Sequence, residues 1–271
     1  MNRYQTSPFS MPPVVKNLIL INVLMWIAKY PFMNMGIDLT EKLGLHYIGS
    51  PLFRPYQLVT HLFMHGDFFH LLFNMFALYM FGKVLEMVWG PRRFLVYFFV
   101  TGLGAAVLHS YVTYLEMSSL QKSVAAFVNT PSPELLQAFV KSNLGQYPSA
   151  VADLINNWSV SLTNADYIQQ STAWVQEIYT MKINVPTVGA SGAVFGILLG
   201  FGYLFPNTEL MLLFSPVPIK AKYFVMGYGA IELYLGVTGS QRGVAHFAHL
   251  GGMLFGFILL KYWSKNSQKF Y

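Results

Sequence analysis

Six apolar runs dominate this chain, at residues 14 to 30, 68 to 89, 93 to 115, 186 to 205, 222 to 238 and 246 to 263. Each is close to the ~20 residues that cross a hydrocarbon core as a helix. The pattern predicts an all-α fold, a polytopic membrane protein whose residues 1–271 form one six-transmembrane-helix bundle. A helical extramembrane insertion is expected at 116–185, between the third and fourth spans. Composition agrees: 54% hydrophobic and only 10% charged residues lie outside the range of ordinary soluble domains. The first run has no small-residue cleavage site after Ala28, so it reads as a retained helix and not as a removed signal peptide, and nothing resembles an Arg-rich transit sequence.

The formal charge of +6 does not point to nucleic acid, because the basic residues form no stripe interleaved with aromatics. They sit past the ends of apolar runs instead. Arg3 and Lys16 precede the first run, Lys83, Arg92 and Arg93 surround the turn after the second, Lys220 and Lys222 precede the fifth, and Lys261, Lys265 and Lys269 follow the sixth. With six spans all of these fall on one side, read as the cytoplasm, which places both termini there. The opposite side receives residues 31 to 67, a short turn around Gly239 to Gly243, and the stretch 116–185. Helical spacing recurs in that stretch at Leu135 to Val140, Val151 to Trp158 and Trp174 to Met181, punctuated by Pro131, Pro133 and Pro148. It reads either as a lid or substrate platform or as a structural insertion.

A chain without cysteine has no disulfide, no thiol nucleophile and no thiolate metal site, so covalent chemistry must use oxygen or nitrogen. Parity supplies the geometry: in a six-span chain the second, fourth and sixth helices all enter from the outer face. The second opens with FFHLLFN, placing His70 and Asn74 one turn apart on one face. The fourth opens with PTVGASGAVFG, which puts Ser191 about 7 to 8 Å deep if the whole stretch is helical. The sixth opens with VAHFAHLGGMLFG and carries His249 to a similar depth. Ionisable groups in lipid are costly and tend to face the bundle interior. A serine and an imidazole suffice for an acyl-transfer dyad, and Gly192, Gly196 and Gly200 with Gly252 and Gly256 form small-residue faces that let their helices touch. His70, Asn74 and the backbone N–H of Ser191 are the candidate oxyanion donors, the last only if regular helix begins near Gly189.

GASG opening one span, AHLGG opening a later one and THLFMHGDFFHLLFN leading into an earlier one together resemble the rhomboid family of intramembrane serine proteases, over roughly residues 50 to 115 and 186 to 260. The resemblance implies a six-helix bundle that cleaves transmembrane segments of other proteins. Ser191 would be the nucleophile and His249 the general base, with His70 and Asn74 at the oxyanion positions and no metal or other cofactor. The implied partners are transmembrane protein substrates and the lipid bilayer. The expected setting is a bacterial inner (plasma) membrane. Glu86 and Gly90 with RRFLVY resemble the family's turn after the second helix, where the acid ties loops together. Two positions depart from the pattern: a Trp-Arg pair found in many members reads here as Tyr56 and Gln57, and the aromatic that would stack on the base is Phe195, without a hydroxyl.

Other residues admit other readings. His61 and His65, at i and i+4 with Asp67 nearby, could pair on a metal, but no carboxylate base stands in an HExxH arrangement, which favours structural hydrogen bonding. Glu232, inside the fifth run, could mark an ion path or serve a hydrogen-bonded structural role. Three function classes follow: a protease, a catalytically weak or inactive rhomboid-like protein that binds transmembrane segments, and a transporter. The last would need more paired charges along a path than Glu86 and Glu232 provide.

Overall fold

A computed structural model describes residues 11–146, 148–212, 215–240 and 244–266. Arg3, Gly243 and Lys269, invoked above for orientation and the last turn, lie outside the described residues. The helices longer than one or two turns are α1 (Pro13–Asn34), α2 (Phe68–Trp89), α3 (Pro91–Asn129), α4 (Pro133–Leu144), α5 (Ser149–Val160), α6 (Ala165–Ile183), α7 (Ser191–Leu204), α8 (Ala221–Thr238) and α9 (His246–Asn266). A π turn at Leu78–Gly82 interrupts the α-helical pairing of α2 without ending it. Chain contacts divide the molecule into two compact units: one of residues up to Leu45, Arg54–Ser110 and Pro186 onward, the other of His46–Phe53 and Tyr111–Val185.

The first unit is a helical bundle that is apolar inside and out. Val15, Leu78, Leu85, Phe94, Tyr97, Phe98 and Ile197 are buried in its core. Leu20, Leu24, Ile27, Phe69, Phe73, Val96, Ile231 and Ile258 are exposed on the same helices. Water would not tolerate so much apolar surface, and lipid does. Among the described residues, three helices, α1, α2 and α3, are long and apolar enough to cross a membrane by length and composition.

The fourth expected span differs from its expectation. Helix α7 has 14 residues and begins only at Ser191, because the backbone before it is held extended. Thr187 and Leu45 exchange both backbone hydrogen bonds at 2.8 Å, and Gly189 sits at φ 127°, a region that favours glycine. Ser191 is therefore the first helical residue and not a residue one turn inside a helix, which removes the depth argued from a continuous helix. At about 21 Å, α7 is shorter than a hydrocarbon core. It has no need of that length: Gly192 to Leu198 are all buried, so protein surrounds most of it.

Helices α7 and α9 pack backbone to backbone. A Cβ on Gly252 would overlap the carbonyl of Gly192, and one on Gly192 would overlap the Cβ of Ala105 on α3. The remaining glycines expected at this crossing serve a different neighbour. Gly196 faces Thr101, and both Gly200 and Gly256 face the hydroxyl of Tyr97, so these three make room for α3. Tyr97 uses that room to donate its O–H to the carbonyl of Gly196 at 2.8 Å.

Glu86, buried on α2, accepts the N–H groups of Val14 and Val15 at 2.9 and 2.8 Å. Its carboxylate thus caps the free donors at the start of α1, where the helix dipole favours negative charge. The loop after α1 is tied by Gln57, whose amide accepts from the N–H of Arg54 at 3.0 Å and donates to the carbonyl of Lys42 at 3.2 Å. An antiparallel pair of strands, β1 (Glu209–Leu212) and β2 (Ser215–Lys220), connects α7 to α8 and was not legible in the hydropathy pattern.

The second unit has its own core. Leu120, Val124 and Phe127 of α3 pack with Leu136 and Val140 of α4, Val151, Leu154 and Trp158 of α5, and Val175 and Ile178 of α6. The three expected amphipathic segments fall within α4, α5 and α6. The expected boundary at 116 falls inside α3, because no Gly or Pro stands between Gly104 and Pro131 and Leu120, Val124 and Phe127 carry the helical spacing onward. Ser50 donates its O–H to the side-chain carbonyl of Asn184 at 2.7 Å, fastening 46–53 to the same unit.

The glycine contact has a measurable consequence. Gly252→Ala should cost about 1 to 3 kcal/mol through overpacking, read as a lower Tm in detergent. Gly227→Ala, whose Cβ would meet nothing within 4 Å, should leave Tm unchanged or raise it. Equal Tm values for the two variants would contradict the packing described.

Candidate active site

Three fasteners hold the segment that leads into Ser191. Besides the pairing of Thr187 with Leu45, the hydroxyl of Thr187 is hydrogen-bonded to Nε2 of His109 at 2.7 Å, and the N–H of Gly189 donates to the carbonyl of His61 at 2.9 Å. Neither His109 nor Leu45 stood out in the sequence, since each acts through a partner more than seventy residues away. Because α7 starts at Ser191, the backbone N–H groups of its first turn have no intrahelical partner. The N–H of Val194 is the first to close a helical bond, to Ala190 at 2.9 Å.

From α9, His249 meets Ser191: the serine Oγ and the imidazole Nε2 are 2.9 Å apart. The sequence placed these two groups at similar depth, and the Gly192–Gly252 contact closes the remaining distance. His249 is fixed in two further ways. Phe195, one turn beyond Ser191, stacks on it with ring centroids 4.1 Å apart and planes within 3°. Tyr228 of α8 stacks on the other face of Phe195 at 5.1 Å and 7°. The Nδ1 of His249 lies 2.8 Å from Oε2 of Glu232, and the Nδ1 of His246 lies 2.7 Å from the same oxygen.

Glu232 thus has the hydrogen-bonded role expected of it, with two partners, His246 and His249. A signal was available: it stands within two turns of the end of α8, next in the chain to the start of α9. The same three residues offer ligand atoms within 4.8 Å of one another, a His-His-Glu set of the kind that binds zinc. Ligands on a tetrahedral zinc stand about 3.3 Å apart, and the 2.7 and 2.8 Å separations here are those of charge-assisted hydrogen bonds.

His70 and Asn74 lie on α2, which opens with Asp67 accepting the N–H of His70 at 2.9 Å. A methyl group on Gly189 would come within 2.7 Å of Cε1 and Nε2 of His70 and 3.5 Å of the Ser191 Oγ. The missing side chain of Gly189 therefore lets the His70 imidazole lie close against the backbone on the side facing the Ser191 hydroxyl, where no other residue would fit. Asn74, one turn along α2, is buried and its Nδ2 has no hydrogen-bond partner, an expensive state for an amide donor that a ligand would relieve. A cavity of about 20 Å³ beside Ser191, lined by His61, His109, Thr187 and Gly189, has room for one water.

His61 and His65 do not converge with Asp67 as ligands; among the described residues only the Glu232 cluster brings three such groups together. His61 donates from Nδ1 to the carbonyl of Gln57 at 2.8 Å, and burial pushes it down to about 4. His65 is edge-on to His70 at 5.0 Å, and burial followed by that neighbour pushes it down to about 3. Both are neutral at pH 7.

An apolar helical bundle carrying a serine hydrogen-bonded to a histidine beneath its surface defines a class, a membrane protein with the parts of a serine hydrolase. The chain belongs to the rhomboid family: the Rhomboid domain model matches residues 53–128 and 155–266. It is 29% identical over 223 residues to an uncharacterized mitochondrial rhomboid protein of Schizosaccharomyces pombe, covering 79% of this chain and 53% of that one. It is 31% identical over 121 residues to the mitochondrial Rhomboid protein 1 of Saccharomyces cerevisiae, covering 42% and 33%. Rhomboid protease AarA of Providencia stuartii is 22% identical over 251 residues, covering 89% and 69%. The chain spans about half or less of the length of the two yeast relatives.

A serine whose Oγ–H faces an imidazole reacts with fluorophosphonates, and buried serines bonded to helix carbonyls, such as Ser171, do not. Peptide mapping after such treatment should find the phosphonyl group on Ser191 alone and no label on Ser191→Ala. Labelling spread over other serines would show that the 2.9 Å contact does not activate this hydroxyl.

Proposed function

We propose that this chain is an intramembrane serine endopeptidase that hydrolyses peptide bonds in or near transmembrane segments of other membrane proteins. The observation that carries this reading is the 2.9 Å contact between Ser191 Oγ and His249 Nε2. Ser191 attacks the scissile carbonyl while His249 takes its proton, and His249 then gives that proton to the leaving amine, leaving an acyl-Ser191 ester. Water, activated by the same imidazole, cleaves the ester and regenerates the serine. The developing oxyanion is stabilised by the N–H of Ser191, by Asn74 Nδ2 and by His70, which lies against Gly189 beside the serine. No metal enters these steps.

In this reading α1, α2, α3, α7, α8 and α9 are the six spans, with their basic ends on one side and the insertion 116–185 outside the membrane on the other. A unique label on Ala150→Cys, possible because the chain has no native cysteine, should be accessible only from the side opposite Lys16. The setting is a cellular membrane. Two of the relatives, at 29% and 31% identity, are named as mitochondrial, which counts against the expected bacterial inner membrane. The alternative of a rhomboid-like protein that binds without cutting calls for a missing or separated base, and the Ser191–His249 contact favours the protease.

A helix hides its carbonyls, so a substrate segment must unwind locally before Ser191 can reach one. Purified protein in detergent or liposomes should therefore cut transmembrane substrates with Gly or Pro near the outer third of the span, and lose rate when those breakers become Leu or Ala. Ser191→Ala and His249→Ala should each lower kcat by about 10⁴-fold or more. His70→Ala or Asn74→Ala should each cost about 10²- to 10³-fold. Cleavage at the parental rate by Ser191→Ala would overturn the proposal.

A further inference from the structure

We propose that Glu232 is a positioning residue for the base, fixing which nitrogen of His249 carries the proton, with His246 as a second clamp on the same carboxylate oxygen. This rests on the protease reading above.

An ionised carboxylate only accepts hydrogen bonds. Since Oε2 of Glu232 lies 2.8 Å from Nδ1 of His249 and 2.7 Å from Nδ1 of His246, both rings must donate from Nδ1. A neutral imidazole carries one proton, so Nε2 of His249 is left with a lone pair, and that nitrogen faces Ser191 Oγ at 2.9 Å. The serine O–H therefore donates to His249, which is the direction general-base catalysis requires. In the opposite tautomer Nε2–H would point at the serine, and the base could not take its proton.

Stacking and hydrogen bonding divide the work on the ring. Phe195 fixes the imidazole plane, at 3° and 4.1 Å. It is a hydrocarbon face and cannot fix the rotation of the ring within that plane or choose the tautomer. Glu232 does both, from a helix that carries no other acid. When His249 becomes an imidazolium during acylation, its new charge lies against a carboxylate already in place, so little reorganisation is needed. His246 holds the carboxylate in line: it sits one turn before His249 on α9, and its bond stops Oε2 from turning away from the base. Glu232 is 6% exposed, so water cannot take over from either imidazole.

A purely structural staple between α8 and α9 would serve folding and not chemistry, and the two are separable. Glu232→Gln keeps size and one acceptor but also presents an NH₂ donor to the rings. The variant is expected to fold, with kcat lowered by about 10²- to 10⁴-fold and KM within about threefold of the parental value, as for the triad carboxylate of serine proteases. His246→Gln, which leaves the Glu232–His249 bond in place, should lower kcat less. Independently of any variant's folding, ¹⁵N NMR of histidine-labelled protein in detergent, assigned with His249→Gln, should show His249 protonated at Nδ1 and bare at Nε2. Glu232→Gln should shift it toward the other tautomer. A kcat for Glu232→Gln within threefold of parental, or a parental His249 protonated at Nε2, would overturn the assignment. If parental protein neither cleaves substrate nor reacts with a fluorophosphonate, the protease reading itself has failed, and the NMR result still decides the tautomer.

Discussion

The contact between the backbones of α7 and α9, where Gly252 lies against the carbonyl of Gly192, is the constraint on which the rest of the site depends. Ser191 and His249 belong to helices 58 residues apart in sequence, and neither side chain is long. Only helices that approach with no side chain between them bring a serine hydroxyl within hydrogen-bond reach of an imidazole. In lipid, where apolar side chains gain nothing from association, such close packing is itself a main source of helix–helix attraction. The same pair of glycines therefore serves stability and geometry at once.

The second constraint is the cost of polarity in an apolar bundle. Each buried polar group must find a partner or wait for one. Glu86 caps α1, Thr101 bonds back to Tyr97 and Phe98, and Glu232 gathers two histidines. One exception lies one turn along α2 from His70: the buried Asn74 amide nitrogen has no partner among the described residues. An unpaired buried amide donor is costly, and a bound acceptor would relieve that cost. The extended segment 186–190 adds its part by starting α7 at Ser191, which frees the backbone donors there.

Much of this was legible in the sequence and some was not, for identifiable reasons. Apolar runs located the helices because lipid imposes length and hydrophobicity on every crossing segment. The openings of three apolar runs drew attention to His70, Ser191 and His249, and the structure brings Ser191 Oγ to His249 Nε2 and the His70 ring against Gly189. The start of α7 was misplaced, since Pro186 to Ala190 are apolar enough to read as helix, and only the pairing of Thr187 with Leu45 holds them extended. The glycines on α7 and α9 were recognised as packing residues, but hydropathy cannot say which neighbour a glycine faces, and four of the five face α3. Glu232 was visible as an anomaly, yet its meaning required knowing that α8 and α9 run side by side at His246 and His249. Long-range fasteners such as His109 to Thr187 carry no local signature at all.

The claim at the centre of this account is that a glycine-to-glycine helix contact holds Ser191 and His249 in hydrogen-bonding range inside a bilayer. An experimental structure of the protein in lipid nanodiscs, at a resolution that places side-chain atoms, measures this directly. The account predicts a Ser191 Oγ to His249 Nε2 separation below about 3.2 Å, with the Gly192 carbonyl packed on Gly252. Helices α7 and α9 held apart by intervening side chains or lipid, with the two atoms more than about 4 Å from each other, would contradict it.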